Sequence, residues 1–283
     1  MSLPAEIAGA LASPLVVDGE GIWRPEASAS GAVSYPDEAG AACFAVEDDS
    51  WWFFHRNEVI LRAVARFPPS GPVWDIGGGN GFVARALGAA GWPAVLVEAG
   101  EEACRQARGR GVKPVIRAAF EDLRFRKGGM AAAGLFDVLE HVENRAGFLG
   151  RLHDALDGPG KGRLYLTVPA HAWLWSGEDA WAGHRLRFGR RALAAELEAA
   201  GFKVVFEAFF FSWLSPLICL SRTLPYRAGR LIGRKFGGRT RRAAAVHGRL
   251  RKGAVYFFAH ELARLEKGDR IGHGASLLAV GET

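Results

Sequence analysis

The apolar positions of the chain change period several times, and each change marks an element. "WWFFHRNEVILRAVARF" (51–67) repeats its apolar residues at helical spacing and stops at Pro68-Pro69. A short apolar run at Val73–Ile76, a glycine turn and a helix opening near Phe82 follow. "PAVLVEAG" (93–100) predicts a second buried strand, leading into a helix through Arg110. "KPVIRAAF" predicts a third strand, "AAAGLFDVLEHV" a fourth running into a helix, and "GRLYLTVPA" (162–170) a fifth. Beyond "FGRRALAAELEAAGF", a helix, come the strand "KVVFEAFFF", the helix "VYFFAHELARLEKG" and a last strand, "GASLLAV" (274–280). Strands and helices alternating at short spacing predict an α/β domain: an open, mostly parallel seven-stranded sheet with helices on both faces.

The chain has 283 residues, of which 49% are apolar and 23% charged, so it can bury a large core. Residues 1–50 hold nine acids and one base and predict a loose acidic arm with at most one short helix. Residues 51–283 are then the folded domain, with an apolar and basic insertion at 212–252. Residues 222–252 hold eleven Lys/Arg and no acid. That insertion fits a pocket cap, a homodimer face or a peripheral membrane contact; no module or interleaved aromatics point to nucleic acid. The first twenty residues lack the basic-then-apolar order of a secretory signal, and Cys43, Cys104 and Cys219 are widely spaced, so a reducing cytoplasmic setting is expected.

Asp75-Ile-Gly77-Gly78-Gly79-Asn80-Gly81 falls where a strand ends and a helix starts. Glycines allow positive φ and close approach of the backbone to a ligand, and the free amides of the next helix favour a polar group. The alternative is a turn that only packs the helix. Phe82 takes the place of the third glycine of a dinucleotide fingerprint, and no Gly-Lys-Ser/Thr follows, so neither that motif nor a P-loop is present. Glu98, ending the second strand, can accept both hydroxyls of a ribose or can simply face solvent.

"VWDIGGGNGF", "AVLVEAG", "LFDVLEHVEN", "LYLTVPA" and "GASLLAV" together resemble the class I S-adenosylmethionine-dependent methyltransferases, over about residues 51–283 and nearest their small-molecule branch. The resemblance implies a Rossmann-like methyltransferase fold and S-adenosyl-L-methionine as cofactor. By it, Gly77, Gly79 and Gly81 hold the methionine part and Glu98 the ribose; Asp75 also binds the cofactor, Phe120 lines the adenine site, and Asp137 borders the sulfonium and the acceptor.

The chemistry-bearing side chains then gather at strand ends. His141, His171 and His184 are candidate bases, with helix bracing or a tryptophan-anchored loop as the structural alternative. Trp173, Trp175, Asp179 and Arg185 follow the fifth strand and are expected on the acceptor side, with His55 and Arg56 of the aromatic first helix. No metal is expected, because the histidines and Asp179 form no H-x-x-x-H or Cys/His spacing. The activity implied is methyl transfer to an O or N nucleophile of a small molecule. A non-catalytic scaffold of the same fold is the alternative, and a nicotinamide-dependent oxidoreductase a weaker one.

Overall fold

The computed structural model describes residues 2–26, 47, 48, 50–231 and 251–283. Among them, helices α1 (Ala5–Ala10), α2 (Trp51–Arg66), α3 (Phe82–Ala89), α4 (Glu101–Gly109), α5 (Arg145–Leu156), α6 (Gly177–Trp181), α7 (Arg190–Ala199), α8 (Leu214–Ile218), α9 (Leu224–Leu231) and α10 (Arg251–Lys267) surround one sheet. Its strands are β1 (Leu15–Val17), β2 (Trp23–Pro25), β3 (Val73–Ile76), β4 (Ala94–Glu98), β5 (Val115–Arg117), β6 (Ala132–Phe136), β7 (Arg163–Pro169), β8 (Lys203–Phe210) and β9 (Ser276–Glu282).

The strand order is β1-β2-β5-β4-β3-β6-β7-β9-β8. The seven strands expected are β5 to β8 of that order. They run parallel except β9, which is antiparallel to both β7 and β8. The count is corrected to nine: β1 and β2 form an antiparallel pair, and β2 joins the free edge of β5 through Trp23 and Ile116.

Successive strand residues point to opposite faces, and both faces are covered. Val95 and Val97 enter the main core, while Leu96 enters a second core with Ile22, Ala84, Cys104, Ala107, Val112 and Val115. This two-sided burial is why β6 reads as an unbroken apolar run and why β3 is apolar but for Asp75.

Of the 212–252 insertion, residues 214–231 are helical, α8 and α9 being joined by a π-helical turn over Cys219–Thr223. Leu217, Leu220, Leu224 and Leu231 are exposed along it. Its basic portion at 232–250, and residues 27–46 of the acidic arm, lie outside the described residues. Among the described residues, no helix is long and apolar enough to cross a membrane.

Candidate active site

A cavity of about 1150 Å³ opens at the carboxyl ends of β3, β4, β5 and β6, the edge where open α/β sheets bind ligands. At one end, the loop after β3 lines it with Gly77, Gly78, Gly79 and Asn80. Gly79 (φ 54°) faces open space, since a Cβ there would meet nothing within 4 Å. Gly81 (φ 73°) starts α3 in the left-handed region, where a Cβ would come within 2.8 Å of the Ala107 Cβ. Both positions therefore need glycine, one for a ligand's approach and the other for helix packing.

Glu98 ends β4 beside this loop. It accepts the Gly79 amide at 2.9 Å through Oε2 and the Gly100 amide at 2.7 Å through Oε1. Burial raises its carboxyl above the ordinary value, and these two amides oppose the rise.

Asp75 is fully buried in β3 and lines the cavity floor. Neither carboxylate oxygen meets a partner in hydrogen-bond geometry, and the Ala84 amide gives only a weaker electrostatic contact. Burial pushes its carboxyl up to about 7; Arg56 opposes the shift and the charge of Glu98 adds to it. Phe120, 4% exposed and packed on Phe148, closes the β5 side with Ala118 and Ala119.

The other end is polar. Arg56, in the first turns of α2, donates to Asp137 at 2.5 Å. Asp137 follows β6 at φ 60°, a strained conformation for a residue with a Cβ, and accepts the Thr167 hydroxyl at 3.1 Å. Two residues expected to hold different ligands are thus partners of each other.

Beyond them, His141 and His184 line the cavity with their rings 5.1 Å apart, edge to face. The His184 Nδ1 faces Asp179 Oδ1 at 2.9 Å, and Arg187 donates to the same oxygen at 2.7 Å. Asp179 also closes a capping box with Ser176 at the start of α6, so the loop that carries His184 is fixed from two sides. Burial and the neighbouring His184 lower His141 to about 4, which keeps its imidazole neutral. Behind the two rings lies Glu140, with no exposed surface. Burial and then Asp137 push its carboxyl well above the ordinary range. One ligand atom from each of Glu140, His141 and His184 lies within 4.8 Å of the others.

The remaining candidates lie elsewhere. The His55 Nε2 meets Glu261 at 2.6 Å in a buried pair, and its ring stacks on Phe258 at 4.0 Å, away from the cavity lining. His171 (φ 60°) stacks on Phe209 at 4.8 Å and does not line the cavity, nor do Trp173 and Trp175. Trp173 is 47% exposed. Asp179 acts behind His184 without lining the cavity itself. Arg185 sits at the rim, donating to the His141 carbonyl at 3.2 Å. Sequence reasoning offered no ligand role for Glu140, whose spacing from His184 is long, and did not pair Glu261 with His55.

The donor set fits S-adenosylmethionine. A buried carboxylate with no side-chain partner, an open glycine cradle, a strand-end acid and an aromatic wall suit, in that order, an ammonium, a methionine backbone, a ribose and an adenine.

Comparisons with known proteins agree with this geometry. The methyltransferase-domain family profile matches residues 54–207. No curated protein sequence matches the chain. Among solved structures, Haemonchus contortus phosphoethanolamine N-methyltransferase 2, in complex with S-adenosyl-L-methionine, is similar with a TM-score of 0.54 and 15% identity. The match covers 88% of this chain but only 57% of that one. An S-adenosylmethionine-dependent methyltransferase from Thermotoga maritima has a TM-score of 0.52 at 18% identity, covering 86% of this chain and 98% of that one. A Haloferax volcanii methyltransferase in complex with its Trm112 activator has a TM-score of 0.53 at 17% identity, covering 87% and 94%. With the family profile spanning more than half its length and the sheet order placing a glycine cradle and a strand-end acid at one edge, the chain belongs to the methyltransferase-domain family and has its class I fold.

Proposed function

We propose that the protein transfers a methyl group from S-adenosylmethionine to an oxygen or nitrogen nucleophile of a small-molecule acceptor. The observation that carries this reading is the single cavity joining the Gly79–Glu98–Phe120 end to the Arg56–Asp137–His184 end. When bound, the cofactor supplies an electrophilic methyl group on a positively charged sulfur.

The chain's own residues do the rest by positioning. The loop amides and Asp75 hold the amino-acid part, Glu98 the ribose and Phe120 the adenine. Asp137, fixed by Arg56 and Thr167, separates that end from the acceptor. The acceptor's proton leaves at the edge where His184, its Nδ1 engaged by Asp179, turns Nε2 toward Glu140 at 3.9 Å. Of the three histidines considered as bases, His184 and His141 border the cavity, and His171 does not. Arg185 at the rim, with Trp52 and Phe53, serves acceptor binding better than Trp173, Trp175 or His55. The described thiols are free, Cys104 buried and Cys219 partly so, and support a cytoplasmic setting.

Calorimetry with S-adenosylmethionine and S-adenosylhomocysteine tests the cofactor half, and no binding by folded protein would overturn it. Mass spectrometry across a metabolite library tests the other half, by a mass gain of one methylene dependent on the cofactor.

A further inference from the structure

We infer that Glu140, His141 and His184 form a binding site for a divalent transition-metal cation at the acceptor end of the cavity. Their ligand atoms already lie within 4.8 Å of one another, and His184 Nε2 is 3.9 Å from Glu140 Oε1. Ligands about 2 Å from a shared ion need only small side-chain adjustments from that spacing.

The second observation is the state of Glu140. It has no exposed surface, and neither carboxylate oxygen has a partner in hydrogen-bond geometry, its own backbone amide giving an electrostatic contact alone. A buried carboxylate without a partner is costly, so such groups are normally paired or bound to metal. The nearby guanidinium groups are engaged by other acids, Arg56 by Asp137 at 2.5 Å and Arg187 by Asp179 at 2.7 Å.

The surroundings of both rings point the same way. Ligating histidines usually give their second ring nitrogen to a carboxylate or a backbone carbonyl, which fixes the tautomer and aims the lone pair. His184 meets Asp179 through Nδ1, leaving Nε2 on the Glu140 side. The Gly183 backbone carbonyl interacts electrostatically with the His141 ring. Two imidazoles and one carboxylate suit zinc or manganese, and three protein ligands leave coordination positions open, as in catalytic metal sites. His141 and His184 line the cavity, so the open positions face the acceptor space. The acceptor class this selects carries an oxygen donor, a hydroxyl above all, whose acidity a bound cation raises. In that arrangement the histidines act as ligands, and the hydroxyl proton passes to solvent. The inference rests on the proposed methyl transfer for its purpose and on these three residues for its geometry.

The test uses the full chain, stripped with chelator and dialysed. Zinc chloride is titrated by calorimetry, and cobalt(II) is followed by its visible absorption. One ion per chain is expected, with affinity at least about tenfold weaker in Glu140→Gln and in His184→Ala. Asp179→Asn, which leaves the three proposed ligands in place and loosens the hold on His184, should weaken it by about tenfold and shift the cobalt spectrum. Circular dichroism checks folding, and S-adenosylhomocysteine binding is measured on the same samples. Zinc binding that is absent, or unchanged in both ligand variants, overturns the site. Retained S-adenosylhomocysteine binding in the stripped protein then leaves the methyltransferase reading standing, whereas zinc binding without it supports the site and sinks that reading.

Discussion

The carboxylate of Glu98, at the end of β4, holds the Gly79 amide of the neighbouring strand's loop at 2.9 Å. The residue expected to receive a ribose therefore also sets the shape of the cradle beside it. Glu98→Ala removes a charged acceptor worth about 1.5–3 kcal/mol, so cofactor affinity should fall about 10- to 100-fold. Glu98→Gln keeps one acceptor oxygen and should fall between. Calorimetry with S-adenosylhomocysteine decides; unchanged affinity in Glu98→Ala would refute the cofactor pose.

Gly79 and Gly81 should fail in different ways. Both have positive φ, which costs a residue with a Cβ about 1–2 kcal/mol. Gly81→Ala adds the 2.8 Å approach to Ala107 and should lower the melting temperature more. Gly79→Ala points its methyl into open cavity and should mainly weaken cofactor binding. Thermal melts and calorimetry on the two variants separate the effects.

Cofactor affinity should rise with pH through neutrality. Asp75, raised to about 7 by burial, must be ionised to receive an ammonium group. Below that value binding requires loss of a proton, and affinity should weaken by up to about tenfold per pH unit. Without ligand the sign is opposite for stability: a carboxyl raised on folding costs stability as pH climbs past its unfolded value, so cofactor binding should stabilise most above neutrality. Asp75→Asn should flatten the affinity profile between about pH 6 and 8.

His55 should matter for folding and not for chemistry. Burial alone would raise Glu261, but hydrogen bonds from His55 and Ser212 hold it below the ordinary carboxylate value. A depressed carboxyl gives stability that is present above its unfolded value and is lost as pH falls through the folded one. His55→Ala removes one of those bonds and the stack on Phe258, costing about 2–4 kcal/mol. Chemical denaturation measures the loss, and cofactor affinity of the folded variant should stay near wild type.

His55 and Arg56 show where reading a sequence runs short. They are neighbours in chain and chemistry, yet one helical step turns them about 100° apart. One enters the α2–α10 contact and the other the cavity. The glycine loop and Glu98 were legible because their chemistry is local: a strand end, a positive-φ turn and an acid on the adjoining strand. The meeting of Glu140 with His184 was not, since only the folded β6 and β7 connections bring them within 4 Å. β1 and β2 escaped notice for another reason. Three-residue strands are too short to show an alternation, and they are held by pairing with each other and with β5.

The antiparallel placement of β9 has a kinetic consequence. Its seven residues separate β7 from β8, so β8 joins the rest of the sheet only through β9. Both pairings close long loops, which are slow to form because their entropy is spent before any contact is gained. The cofactor half, β3 to β6, makes its pairings independently of β9. Assembly of the sheet should accordingly proceed from the cofactor side outward, with the β8 side seated last.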